Sequence, residues 1–159
     1  SENVGKLSLN KPFISPCTPK GIMKMIASIK YELKGKDCVI IGASNIVGRP
    51  MAMELLNAGA TVQVCHKETK DITQKTKSAD VIIAAAGVAN LVKSDWVKDG
   101  AIIIDVGINR LENGKLAGDV DFEDVKDKVS AISPVPGGVG PMTIAVLLEN
   151  TLIAYQAKL

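Results

Sequence analysis

The sequence predicts an α/β fold with a mostly parallel sheet, and three observations carry that prediction. Four short apolar, β-branched runs, Cys38–Gly42, Thr61–Cys65, Val81–Ala85 and Ala101–Asp105, have the length and composition of strands buried on both faces. Segments with helical spacing separate them, and no internal repeat or low-complexity tract breaks the alternation. Parallel strands need crossover connections, which are right-handed almost without exception, so helices must cover both faces of the sheet. A Rossmann-like three-layer αβα domain is the best fit.

Residues 1–17 hold several turn formers and no clear strand, and read as an interdomain segment attached to something larger; residues 18–159 read as the domain. In Thr18-Pro19-Lys20-Gly21, Thr18 can cap a helix and Pro19 suits its first turn. Ile22, Met25, Ile26 and Ile29 continue that helix, which is expected to end near Lys34-Gly35-Lys36. Between the first two strands, Val47, Met51, Leu55 and Ala58 recur at helical spacing and Gly59 supplies a stop, completing a βαβ unit. Pro141 to Tyr155 forms a strongly apolar last helix behind a loop dense in proline and glycine, Pro134 to Gly140.

Composition bounds the function. The 159 residues are 47% apolar and 23% charged, which suits one domain with a sizeable core. Nineteen basic and 17 acidic residues leave a net charge of +2, so the pI of 8.4 reflects a small surplus and implies no nucleic-acid partner. No run approaches the roughly 18 apolar residues of a membrane span, and a cytoplasmic protein is the default expectation. Cys17, Cys38 and Cys65 are an odd number at wide spacing and read as reduced core residues, with no metal framework.

The turn after the first strand, Gly42-Ala-Ser-Asn-Ile-Val-Gly-Arg-Pro50, leads into a helix N-terminus. Glycine there lets backbone approach a pyrophosphate, and the helix start offers N–H groups and the positive end of its dipole. The pattern is G-x-S-x-x-x-G where a dinucleotide fingerprint has G-x-G-x-x-G, so an ordinary strand-to-helix turn with a serine cap is the alternative. If a dinucleotide binds, valine at Gly42 is expected to block it and leave the protein folded. The second strand ends Val64-Cys65-His66-Lys67 and offers no carboxylate to the ribose hydroxyls NAD presents. Lys67 there suits the 2′-phosphate of NADP, and His66 falls where the adenosine lies. A solvated Lys67 and a packed or capping His66 are the alternatives from residue type alone.

Five stretches together resemble the bifunctional methylenetetrahydrofolate dehydrogenase/methenyltetrahydrofolate cyclohydrolase family, in its bacterial form. They are Pro16–Gly21, Val39–Pro50, Ile104–Asn109, Gly118–Val120 and Pro134–Thr143, and the resemblance covers essentially the whole chain. It implies an NADP-binding domain of an enzyme that oxidises 5,10-methylenetetrahydrofolate to the methenyl form and hydrolyses that to 10-formyltetrahydrofolate, in one-carbon metabolism and purine biosynthesis. Tetrahydrofolate derivatives and a homodimer follow as partners. Gly42, Ala43 and Ser44 match the phosphate-approach turn, Ile108 a residue near the nicotinamide, and Thr143 a position close by. Pro136, Gly137, Gly138 and Val139 match the loop beside the pterin. Some relatives carry arginine at the position of Ala43, which leaves Lys67, with Ser44, to distinguish NADP from NAD.

The family's Tyr-x-x-x-Lys element is absent here. Tyr31 with Lys34 and Tyr155 with Lys158 are spaced by three, in expected helices, and read as helix-surface pairs. The resemblance therefore places no catalytic residue in these 159, and implies that alone they catalyse neither reaction. Dehydrogenation is a hydride transfer driven by the substrate nitrogen's lone pair, so no protein base is needed and the domain's task is positioning. Hydrolysis needs proton shuttling, for which this chain offers no convincing acid or base. A stand-alone nucleotide-binding regulatory module without catalysis is the alternative.

Overall fold

The computed structural model describes residues 2–157. Its centre is a five-stranded sheet, every neighbouring pair parallel, built from β1 (Asp37–Ile41), β2 (Thr61–Cys65), β3 (Val81–Ala84), β4 (Ile102–Asp105) and, at one edge, a short strand Ala131–Ile132. The spatial order is β2, β1, β3, β4, then the short strand. After β2 the chain crosses back over β1 to form β3, so the direction of winding reverses between β1 and β3. In open α/β sheets a crevice for ligands opens at the carboxyl ends of the strands at that point.

Alternation along the strands divides the core into two layers. Ile40, Ile83 and Ile102 pack with α2 (Cys17–Ser28) and α3 (Gly48–Asn57) on their side of the sheet, around buried Ile22, Ile26, Met51 and Leu55, and α1 (Glu2–Ser8) lies against α3. Val39, Ile41, Ile82 and Ile103 face the other way, toward Val97, Val120 and Val125 near α4 (Ile72–Thr76), the 3₁₀ turn Ser94–Trp96 and α5 (Phe122–Val125). The last helix, α6 (Val139–Gln156), lies along α2, where a Cβ on Gly21 would sit 3.2 Å from Met142. The expected three-layer αβα architecture is the observed one.

Several expectations are corrected. β2 is an edge strand whose residues alternate toward solvent and only Cys65 is fully buried, because among the described residues nothing pairs with its outer side. α2 ends at Ser28, and Lys30 turns the chain out of the helix at φ +56°. Buried Leu33 prolonged the apolar pattern from outside the helix. Tyr31 and Lys34 thus lie past the helix end; Lys158 lies outside the described residues. Thr18 sits inside α2, not at its cap, and makes no capping bond. In residues 2–17 the turn formers hid helix α1, whose Leu7 is 1% exposed and whose Leu7 carbonyl accepts from Asn57. Ser15 is anchored as well, its carbonyl accepting from buried Asn150 of α6. Cys38 and Cys65 are buried, whereas Cys17 is only half-buried.

Candidate functional site

The carboxyl ends of β1, β3 and β4 converge on the crevice. At the end of β1, Gly42 adopts φ +121°, which disfavours any other residue. A Cβ there would stand 2.0 Å from the Ala85 carbonyl oxygen, and a Cβ on Gly48 would stand 1.9 Å from the Gly42 carbonyl. Both glycines therefore serve the seating of α3 and β3 against the turn. This corrects the expectation that valine at Gly42 spares the fold, because the clash is with the chain itself. Gly48, whose late position weakened the fingerprint, does the helix-to-strand packing that the third glycine does elsewhere.

Val47 stands at the cap position of α3 without a side-chain capping bond, and Ser44 ties the turn to the helix start. Its Oγ accepts the N–H groups of Val47 at 3.1 Å and Gly48 at 3.4 Å, and its carbonyl accepts that of Arg49. Among the described residues, nothing in the chain accepts the N–H groups of Ala43, Ser44, Asn45 or Ile46. Four backbone donors in the turn that leads into a ten-residue helix suit a pyrophosphate, and this is the structural fit to a dinucleotide.

Beside this turn a cavity of about 710 Å³ is lined by Ala43, Arg49 and Met53 of the turn and α3, by Val64 and His66 at the end of β2, and by Val4, Leu7 and Ser8 of α1 with Pro16. His66 contributes to its wall, and its Nδ1 accepts the Glu68 N–H at 3.3 Å. Lys67 does not line it: its side chain is 91% exposed, with Nζ 3.7 Å from the Glu68 carboxylate. Arg49, which sequence reasoning passed over, does line it; its Nε donates to the Ala43 carbonyl at 3.3 Å.

On the β4 side, a hollow of about 190 Å³ opens between Val106–Ile108 and the loop Pro134–Pro141, near the positions matched to the nicotinamide and the pterin. Ile108 is 65% exposed beside it. Pro136, Gly137, Gly138 and Val139 all line it; the Val135–Pro136 peptide is cis, and Val139 is also a buried core residue at the start of α6. Thr143 is not among its lining residues. The Thr143 hydroxyl donates to the Val139 carbonyl at 3.1 Å and lies 3.0 Å from the Thr18 hydroxyl, so it joins α6 to α2.

Two buried aspartates hold this end of the sheet together, and neither was assigned a role from the sequence. The Asp105 carboxylate accepts the N–H groups of Gly107, Asp119 and Val120, each at 2.9 Å. Burial pushes its acidity down, raising the pKa above the usual carboxylate value, and the three N–H groups oppose that shift. Asp119 Oδ2 accepts from the Ala86 and Gly87 N–H groups at 2.6 and 2.8 Å, and Oδ1 from the Asn109 amide at 2.9 Å. Space is the other constraint: a Cβ on Gly107 would meet the Asp119 carboxylate and one on Gly118 that of Asp105. An acid closing an otherwise apolar strand, Ile102-Ile-Ile-Asp105, is the signal the sequence held. Among the described residues, no cluster of His, Cys, Asp and Glu could bind a metal, and no helix is long and apolar enough to cross a membrane.

Comparison with known proteins decides the family. The family model for the tetrahydrofolate dehydrogenase/cyclohydrolase NAD(P)-binding domain matches residues 16–159. The chain belongs to that family. Among relatives of this NAD(P)-binding domain, the bifunctional protein FolD of Vesicomyosocius okutanii is 62% identical over 159 residues, all of this chain and 57% of the relative. The crystal structure of the FolD methylenetetrahydrofolate dehydrogenase/cyclohydrolase from Campylobacter jejuni superimposes with a TM-score of 0.96 at 62% identity, over 99% of this chain and 56% of that one. The FolD of Trypanosoma brucei, solved with NADP cofactor and inhibitor, does so with 0.94 at 38% identity, over 99% and 56%. The chain thus spans somewhat more than half the length of the relatives it matches.

Proposed function

We propose that this domain binds NADP within an enzyme that oxidises 5,10-methylenetetrahydrofolate to 5,10-methenyltetrahydrofolate and hydrolyses the product to 10-formyltetrahydrofolate. The observation that carries the reading is the pairing of two features at one sheet end. Four uncommitted N–H groups stand at Ala43–Ile46, and a hollow walled by Ile108 and Pro136–Val139 opens beside β4. The first suits a pyrophosphate, the second the ring end and the folate.

NADP, when bound, supplies the hydride acceptor. The chain's own part is to bind and aim. The Ala43–Ile46 N–H groups hold the diphosphate, Gly42 and Gly48 set the turn that presents them, and Ile108 offers an apolar surface to the nicotinamide half. Asp105 and Asp119 fix the loops that shape the hollow, and their carboxylates are committed to backbone N–H groups, so neither is offered as the acid or base of the hydrolysis. Correct placement of reacting groups can lower a barrier by about 7 to 11 kcal/mol, which is the scale of the contribution assigned to this wall of the pocket.

Tetrahydrofolate derivatives as ligands, a homodimer, a cytoplasmic setting and a place in purine biosynthesis belong to the same reading. The relatives named above are enzymes, and none supports a stand-alone regulatory module. Titration calorimetry of the chain with NADP tests the proposal: saturable one-to-one binding is expected. Absence of heat and of thermal protection at millimolar NADP overturns it.

A further inference from the structure

Resting on the NADP reading above, we infer that Arg49 is a specificity-determining residue of this domain, the group that recognises the 2′-phosphate of the adenosine ribose. In a dinucleotide laid across the β1–α3 turn, the adenosine ribose falls toward the end of the second strand. The space available there is the cavity between Ala43 and His66, and the side chain that brings a permanent positive charge to its wall is Arg49.

Three features equip Arg49 for the task. It is the second residue of α3, so its backbone is fixed by the helix and by the bond from its N–H to the Ser44 carbonyl. The bond from Nε to the Ala43 carbonyl folds the side chain back over the turn, which holds the guanidinium beside position 43 and takes up only one of its five donors. Among the described residues Arg49 forms no ion pair, so the charge is not already neutralised. A planar guanidinium presents paired N–H groups that match phosphate oxygens in a way an ammonium does not.

Lys67 is the obvious competitor from sequence, and its geometry argues for a lesser part. Its side chain stands almost wholly in solvent, close to the Glu68 carboxylate, on a flexible stem outside the cavity wall. A charge in that position draws an anion in through water, where screening weakens it. Alanine at position 43 also leaves room over the turn, and the guanidinium of Arg49 reaches that place from the helix.

The test is titration calorimetry of the whole chain with NADP, NAD and 2′,5′-ADP, comparing the parent with Arg49→Ala, Arg49→Gln, Arg49→Lys and Lys67→Glu. Arg49 is exposed at the surface, and matching thermal unfolding of the variants with the parent checks their folding. Both Arg49→Ala and Arg49→Gln are expected to weaken NADP and 2′,5′-ADP tenfold or more and to leave NAD within twofold. Lysine at 49 recovers part of the loss, and Lys67→Glu shifts NADP less than Arg49→Ala does. NADP affinity unchanged by Arg49→Ala, or NADP and NAD weakened together, overturns the assignment and leaves the NADP reading standing. A parent chain that binds none of the three probes overturns both.

Discussion

Asp105 Oδ1 accepts the backbone N–H of Asp119 at 2.9 Å, so one buried carboxylate positions the residue whose own carboxylate holds the next loop. The chain of bonds runs from β4 through Asp119 to Ala86 and Gly87, just beyond β3. Buried charge is stable in this form because each oxygen is met by an N–H group.

Asp119→Ala is therefore expected to lower unfolding free energy by about 2 to 3 kcal/mol, because a fully buried carboxylate is removed and three part-buried donors lose their acceptor at once. Asp119→Asn should cost less than half as much: its amide oxygen can still accept from Ala86 and Gly87, and its NH₂ can face a turned Asn109. Urea denaturation measures both, and equal losses would sink this account of the network.

Gly42→Val should leave little folded protein, and Gly48→Ala should be similarly damaging, since each new Cβ meets a carbonyl oxygen near 2 Å. Gly87→Ala is the control. It also has a positive φ, +71°, but its Cβ would meet nothing within 4 Å, and it should cost only about 1 kcal/mol. Circular dichroism melting of the three variants distinguishes steric clash from lost backbone freedom.

The Lys98 ammonium and the Asp37 N–H hold the Asp80 carboxyl below the usual carboxylate range. A lowered folded-state value adds stability above the ordinary pKa near 4, and that contribution disappears as pH falls through the lowered value. Asp80→Asn should lose no more than about 1 kcal/mol at pH 7, because the Lys98 side chain is 39% exposed and screened by solvent. The gap between parent and variant urea midpoints should be constant above the ordinary carboxylate range and narrow progressively as pH falls below it; a gap that does not change with pH would show that charge is not its source.

Burial pushes the Cys38 thiol up to about 12 and the Cys65 thiol upward as well. With an aromatic disulfide reagent at pH 8, the half-buried Cys17 should react first, and Cys38 and Cys65 only at the rate of unfolding. Rapid release of three equivalents from native protein would contradict the packing.

Strand identity was legible because Val, Ile and Ala runs are short and bounded by turn residues, and the first βαβ unit was legible because its glycines punctuate it. The edge position of β2 was not, since a strand's composition says little about how many neighbours it has. The helical period ran past Ser28 because Leu33 is a core residue reached by a turn. For the site, Gly42, Ser44 and His66 were readable from the strand-to-helix grammar. Arg49 and the aspartate pair were not: Asp105 and Asp119 lie 14 residues apart and meet only because a hairpin folds between them.

That hairpin, Asn109–Arg110 paired with Leu116–Ala117, is pinned at its base by Asn109 on Asp119, while its tip is closed by the Leu111 N–H on the Lys115 carbonyl, the Gly114 N–H on the Leu111 carbonyl and the Lys115 N–H on the Asn113 side chain. Its tip residues 112–115 are exposed, and Gly114 has open space around it. Anchored below and exposed above, the tip is a natural attachment point for a reporter. A fluorophore on a cysteine placed at the exposed Glu112 would ride a few residues from Leu116, which lines the β4-side hollow, and would signal occupancy while sparing the Asn113 side chain, which accepts the Lys115 N–H.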